Sequence, residues 1–397
     1  MRQDRAAASR AGLSPRTRAG LAYLALFAGF GAVYPYASLY YLARGLDYAE
    51  IGAIISLGAI VALAAGPAWG AFSDRRAGSP RVLLATAGVA LAGVAFMAGA
   101  TTFAAILAAN VVIAVGFAGL TPIIDARALE TVRDERASFG PVRAWGSAGY
   151  VAASLLTGFA IQAWGLGAMF VVLSAGLLLA AAIGLQLAPS VVTRADRPFR
   201  ATLLVFRTPS LLLFLTGMLL AAASLAAAVN FVALRFDELG AATAVIGIGS
   251  ALSAAIEVPV MLRFPSLARR FGGTRLLVAG AAFIALRSAL ASVAADPALL
   301  VLASGIGGIG YAFFLVGGVT FVAEHVPAHL AATGQGIFQG VTLSLSQVVA
   351  AAAAGFAAGI VGIGGMFAIA AAVGAAATVV IAVAVRPRRL ERAESPT

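Results

Sequence analysis

The chain has no cysteine and no lysine. The first absence excludes disulfides and thiolate-held metals. The second leaves all 27 basic residues as arginine, which we read as the codon usage of a GC-rich bacterial genome. Charge of either sign is scarce: 11% of residues are Asp, Glu, Lys or Arg, where a soluble domain carries about a quarter. Histidine occurs only at His325 and His329, a pair in one loop that makes a poor metal site, so no metal or other cofactor is expected. What is present is apolar: 61% of residues are hydrophobic, and the mean hydropathy is +0.99. This is the composition of a protein that crosses a bilayer many times.

A span needs roughly 20 apolar residues. That ruler predicts twelve helices, near 20–43, 48–72, 81–100, 103–125, 142–162, 166–188, 210–234, 243–263, 274–294, 298–322, 332–356 and 364–385. The basic N-terminus precedes an apolar run, Leu21–Leu42, that is too long for a signal peptide core and reads as an uncleaved first span. Arginines gather in alternate connections: Arg75, Arg76 and Arg81; Arg127, Arg133, Arg136 and Arg143; Arg194 to Arg207; Arg263 to Arg275; and both termini. The opposite connections hold only Arg44 and Arg235. The positive-inside rule therefore places both termini in the cytoplasm. It also accounts for the formal charge of +11, so no nucleic-acid partner is expected.

The one long polar connection, 189–209, divides the chain into residues 1–188 and 210–397, six helices each. The halves share traces of a repeat. "RGLDYAEIG" (Arg44–Gly52) matches "ELGAATAVIG" (Glu238–Gly247), and "RRAGSPRVLL" (Arg75–Leu84) matches "RRFGGTRLLV" (Arg269–Val278) at nearly one offset. Duplicated units with a site between them are a common transporter design.

"GPAWGAFSDRRAGSPR" (Gly66–Arg81) resembles the loop between the second and third helices of the major facilitator superfamily, with Gly70, Asp74, Arg75, Arg76, Gly78 and Arg81 at the motif positions and the later glycine one place late. The resemblance implies an all-α membrane fold of twelve helices in two pseudo-symmetric halves, alternating access, and no enzymatic activity. It also makes Asp74 and its basic neighbours a conformational gate. "TPIIDARAL" (Thr121–Leu129), "FGPVRAWGSAGY" (Phe139–Tyr150), "EVP" (Glu257–Pro259) and "ATGQGIF" (Ala332–Phe338) are similar to the proton-symporter group that includes phenylpropionate and lactose permeases. That narrower similarity implies proton-coupled uptake of a small organic solute through a bacterial inner membrane by a monomer. The rival is an efflux antiporter. Its Gly-Pro-rich fifth-helix signature is missing from "WGSAGYVAASLLTGFAIQAW". An intramembrane enzyme or a receptor is a more distant alternative.

Glu257 is the only ionisable residue between Gly240 and Arg263, and Arg287 is the one charge in the interior of the ninth predicted helix, Arg275 standing at its edge. A charge at this depth is costly and usually has a task. Glu257 is six residues from Arg263, about 9 Å inside the arginine-rich edge, and Arg287 is twelve from Arg275, about 18 Å inside. We expect an arginine leaning toward the glutamate to close that gap. An anionic solute that takes Arg287 would leave Glu257 without its partner, so proton and solute load together. A static pair that only fixes packing is the plainer alternative.

Asp125 and Arg143, at the arginine-rich ends of helices four and five, join Gly70, Asp74, Arg75, Arg76 and Arg81 as gate candidates, a structural pair being equally open. Tyr34, Tyr36, Asn110, Asn230, Tyr311 and Gln339 are cavity candidates, although single polar residues in membrane helices often bond to a neighbouring helix instead. "GIGGIG" (Gly305–Gly310) matches a phosphate-binding pattern only formally. It sits inside an apolar helix with no strand before it, where small residues serve close helix approach.

Overall fold

The computed structural model describes residues 13–75, 80–132, 139–189, 209–327 and 330–386, and these contain helices and short connections with no strand. The helices are α1 (Pro15–Val33), α2 (Ala37–Ala43), α3 (Tyr48–Arg75), α4 (Pro80–Gly99), α5 (Phe103–Thr131), α6 (Phe139–Trp164), α7 (Ala168–Gly184), α8 (Pro209–Glu238), α9 (Thr243–Phe271), α10 (Gly273–Val293), α11 (Pro297–His325), α12 (Ala331–Gln339) and α13 (Ser346–Ala384), with a π-helical turn at Gly340–Leu345. Ten helical runs are long and apolar enough to cross a membrane. The last, Thr333–Ala384, has 52 residues, about twice what one crossing needs. It breaks at Gly362, whose φ of 75° and ψ of 170° lie outside helical space. With that run counted as two spans and the shorter apolar α7 as one, the chain crosses twelve times.

Local chemistry explains several boundaries. Ser14 caps α1 by accepting from the Thr17 amide at 3.1 Å, and Pro15 stands at the first helical position, where its missing N–H costs nothing. Pro35 separates α1 from α2 inside the first span, because proline removes a helix hydrogen bond and collides with the preceding turn. Asp47 and Glu50 cap α3 reciprocally, the Asp47 amide donating to Glu50 at 3.0 Å and the Glu50 amide to Asp47 at 2.8 Å. Asp296 caps α11 by accepting from two amides.

The expected duplication is visible in the backbone. Gly45 and Gly240, matched by the repeat, have φ of 83° and 69°. Each ends its helix with the same reach-back bond: Leu46 N–H donates to the Tyr41 carbonyl and Ala241 N–H to that of Phe236. Only glycine adopts this left-handed turn without strain. A second pair, Gly165 and Gly362, ends the fifth and eleventh spans at φ of 82° and 75°.

Within the first half, α1 packs on α6 and α7, and α5 packs on α3 and α4. Within the second, α8 packs on α13, and α11 on α9 and α10. The halves meet where α9 lies on α6, α3 on α13 and α8 on α2. The tight crossings cluster at the arginine-poor ends. A Cβ on Gly52 would collide with the Ala351 carbonyl and the Gly355 Cα, and one on Gly247 with the Ser154 carbonyl. Thr243 Oγ1 donates to Gly158 O at 2.9 Å, and Ser56 Oγ to Val348 O at 2.8 Å. This conformer is therefore joined at the arginine-poor end.

The two arginines on that side close helix ends. Arg44 donates to Ala98 O at 3.4 Å, beside the end of α4. Arg235 donates to the carbonyls of Ala291, Ser292 and Ala294 at the end of α10, the last at 2.7 Å. On the opposite side, buried Arg127 donates to Gly184 O at 3.0 Å and closes α7. Free carbonyls at a helix terminus favour a cation there.

Candidate binding cavity

Two adjoining cavities lie inside the bundle. The first, of about 420 Å³, is lined by residues of both halves, including Phe27, Arg143, Ser147, Ser250, Ser253, Glu257, Arg287 and Tyr311. The second, of about 360 Å³, is lined by Tyr41, Asn110, Phe117, Phe170, Asn230 and Gln347 among others. Tyr34, Tyr150 and Val229 border both.

Helical periodicity builds the first cavity. Ser250, Ser253 and Glu257 recur at i, i+3 and i+7 along α9, Ser304, Gly307 and Tyr311 do so along α11, and Arg143, Ser147 and Tyr150 stand at i, i+4 and i+7 on α6. Each set forms one face. Tyr150 and Ser250 share a hydrogen bond of 3.2 Å from opposite halves. The glycines of "GIGGIG" let three helices converge: Gly305 and Gly308 face α9 through Leu252 and Ser253, while Gly307 and Gly310 face α10 through Arg287 and Ile284. A side chain at Gly307 would collide with the aliphatic stem of buried Arg287.

Glu257 and Arg287 thus line one cavity, but they form no ion pair among the described residues. The expected direct pair is therefore corrected: the two side chains, on α9 and α10, face the same cavity without an ion pair between them. Arg143, from the other half, and Tyr150 line the same cavity as Glu257 and Arg287. Arg143 places its guanidinium 4.0 Å from the Phe27 ring centre and 5.3 Å from that of Tyr23. Tyr23 in turn donates to Asp125 at 2.6 Å. Asp125 and Arg143 are therefore joined through Tyr23 instead of directly.

The remaining candidates divide. Tyr34 and Tyr311 line the first cavity, and Tyr34, Asn110 and Asn230 the second. Asn110 donates to Ile54 O at 3.0 Å and accepts from Tyr41, and Asn230 accepts from Gln347 at 3.1 Å. Tyr36 lines neither cavity; it is fully buried and donates to Ser154 O at 2.5 Å, beside the Gly247 contact. Gln339 is exposed and lines neither cavity; Gln347, two turns on, takes the inward position. Of the gate set, Gly70 has open space where a Cβ would stand, and Arg81 is exposed at the start of α4. Arg76 and the side chains of Asp74 and Arg75 lie outside the described residues, as do residues 190–208 of the predicted linker and His329. Tyr150 and Ser250 were not among the expected lining residues, nor was Arg127 expected as a helix cap; the serine–glutamate stripe on α9 was the available signal.

Comparison with known proteins agrees with this architecture. Residues 17–369 match the model of the MFS_1 like family. The maltose permease of Geobacillus stearothermophilus is 32% identical over 281 residues, covering 67% of this chain and 68% of that protein. Among solved structures, the nucleoside transporter NupG superposes with a TM-score of 0.82 at 19% identity, over 95% of this chain and all of that one. An auto-inhibited POT family peptide transporter gives 0.73 at 13% identity, over 96% and 99%.

Proposed function

The chain belongs to the MFS_1 like family and is a multi-pass membrane transporter of the major facilitator type, not an enzyme; from that premise we propose that it is a proton-coupled symporter of a small organic solute. The two halves, 1–188 and 210–397, would rock about the central cavity, with 189–209 as their cytoplasmic link. Both termini would be cytoplasmic, in a bacterial inner membrane, and one chain would suffice. The observation that supports this reading is the presence of one carboxylate, Glu257, and two arginines, Arg143 and Arg287, around a single cavity shared by both halves. A carboxyl can carry the proton, and the guanidinium groups can hold a negatively charged or strongly hydrogen-bonding solute.

The combined space suits a small molecule, since binding pockets run roughly 300–1,000 Å³. Maltose, nucleosides and peptides are named for the similar proteins; for this chain we propose only the class they share, a polar solute of modest size. Asp74, Arg75, Arg76 and Arg81 are proposed to bias the conformers from the arginine-rich edge.

The test is uptake by purified protein in vesicles, with a panel of labelled solutes, under an inward proton gradient and without one. Symport requires accumulation that collapses with the gradient. Accumulation driven by the opposite gradient would instead favour an efflux antiporter.

A further inference from the structure

Away from the central cavity, on the arginine-rich side, a larger recess of about 1220 Å³ opens among the ends of α8, α9, α10, α11 and α13. Its polar lining is cationic. Arg270, Arg275 and Arg386 border it with His325, Ser210 and Thr274, and among the described residues none of the lining is acidic. Among the described residues, none of these three arginines has an ion-pair partner. The helix α10 begins at this recess, after Gly272, without a side-chain cap, and α8 begins there at Pro209. The uncapped first-turn amides of α10 therefore add to the guanidinium donors. The rest of the lining is apolar, with Leu213, Val278 and Phe321 beside the cations.

Topology alone accounts for arginines on this side, but not for a recess that, among the described residues, gathers them without a carboxylate beside apolar side chains. We propose that the recess holds the phosphate headgroup of an anionic phospholipid from the leaflet on the arginine-rich side. The phosphodiester takes the guanidinium groups and the α10 amides, and the acyl chains lie along the apolar flank. Basic pockets between membrane helices recognise anionic headgroups by this combination of charge and depth. A free phosphate would satisfy the cations but would leave the apolar flank without an occupant. The site lies wholly within the second half, so its occupant braces spans seven, eight, nine, ten and twelve against one another and does not bridge the two halves.

The experiment uses the full chain in neutral detergent, titrated separately with phosphatidylglycerol, phosphatidylcholine and inorganic phosphate, with binding read by native mass spectrometry and by thermal shift. Phosphatidylglycerol should bind and raise the melting temperature, and phosphatidylcholine should do neither. Each surface arginine contributes about fivefold to the binding of an anionic lipid, so Arg270→Gln with Arg275→Gln should weaken phosphatidylglycerol by roughly thirtyfold. Arg263→Gln, an exposed arginine on the same side that does not line the recess, should leave the affinity within about twofold. Arg386→Gln, outside every helix, supplies the same test if the double variant folds poorly. Equal phosphatidylglycerol affinity in the wild type and these variants overturns the proposal. So does inorganic phosphate that reproduces the full thermal shift and displaces the lipid, since the site would then belong to a free anion. None of these readouts depends on transport.

Discussion

Tyr150 and Ser250 hold a hydrogen bond of 3.2 Å between the two halves of the molecule, on the wall of the cavity that also contains Glu257 and Arg287. The bond belongs to this conformer, in which α6 and α9 lie together at their arginine-poor ends. It ties the polar lining of the cavity to the contact that must open during alternating access.

A buried hydrogen bond is worth about 1 kcal/mol net, roughly fivefold in an equilibrium. Tyr150→Phe and Ser250→Ala should each lower the population of this conformer by about that factor, and the double variant should do no more, because both remove one bond. Since the chain has no native cysteine, single cysteines placed at Asp47 and Asp237 can carry spin labels without further engineering. The fraction of the long interlabel distance reports the shift. Additive effects of the two substitutions would show that the bond does not couple the halves.

Gly52 and Gly247 are equivalent positions at the joined end, and neither has room for a Cβ. The colliding atoms are largely backbone, so no side-chain rotation relieves the clash. Overpacking of this kind costs about 1–3 kcal/mol, or some five- to more than a hundredfold in conformer ratio. Gly52→Leu and Gly247→Leu should hold the arginine-poor end apart, lengthen the same interlabel distance and slow net transport, while solute binding survives. Wild-type distances with wild-type transport would show that this contact does not close in the cycle.

Much of the fold was legible because apolar length, arginine sidedness and a weak repeat all report on the bilayer. Gly45 and Gly240 were matched as letters, and the backbone shows why: both terminate a helix at positive φ. Helix ends were less legible. The fourth span was expected at 103–125, but α5 runs to Thr131, because a helix that leaves the hydrocarbon continues on polar residues that a hydropathy ruler discards. Tyr34 and Tyr36 were read together, yet Pro35 interrupts the helix between them, so one lines both cavities and the other is sealed against Ser154. Periodicity does not carry across such a break. Glu257 and Arg287 stood out as lone charges, but depth along two helices does not give the lateral distance between them. The shared cavity, and Arg143 on its wall from the other half, required the packed structure.

Arg235 offers a stability prediction separate from transport. Its guanidinium reaches three carbonyls at the end of α10, while its ion pair with Glu238 at 2.5 Å is half exposed on the acidic side. Exposed pairs contribute little, whereas charge-assisted bonds to orphan carbonyls contribute more. Arg235→Ala should cost about 2 kcal/mol and lower the melting temperature in detergent, and Glu238→Gln should be nearly silent. Transport per folded molecule should be unchanged in both. If the two variants melted alike, the ion pair rather than the helix cap would be the stabilising element.

The proposed coupling rests on Glu257. Glu257→Gln keeps the size and hydrogen bonding of the side chain but removes the proton-carrying group. If Glu257 couples proton to solute, this variant should still exchange solute across vesicles at equal pH, and it should lose accumulation driven by a proton gradient. Arg287→Ala acts on the other side of the coupling: for an anionic solute it should abolish binding, with exchange and accumulation lost together. Arg287 is buried, its stem packed against Gly307, and has no carboxylate partner among the described residues, so its removal costs packing and not an ion pair, and a melt in detergent should show a modest loss of stability. A third variant, Arg143→Gln, separates the two cations. It removes a charge from the cavity wall opposite Glu257 and should change the pH dependence of gradient-driven uptake more than the affinity for solute at a fixed pH. Gradient-driven accumulation that persists at the wild-type level in Glu257→Gln would falsify the coupling role and leave Glu257 as a polar residue of the cavity wall.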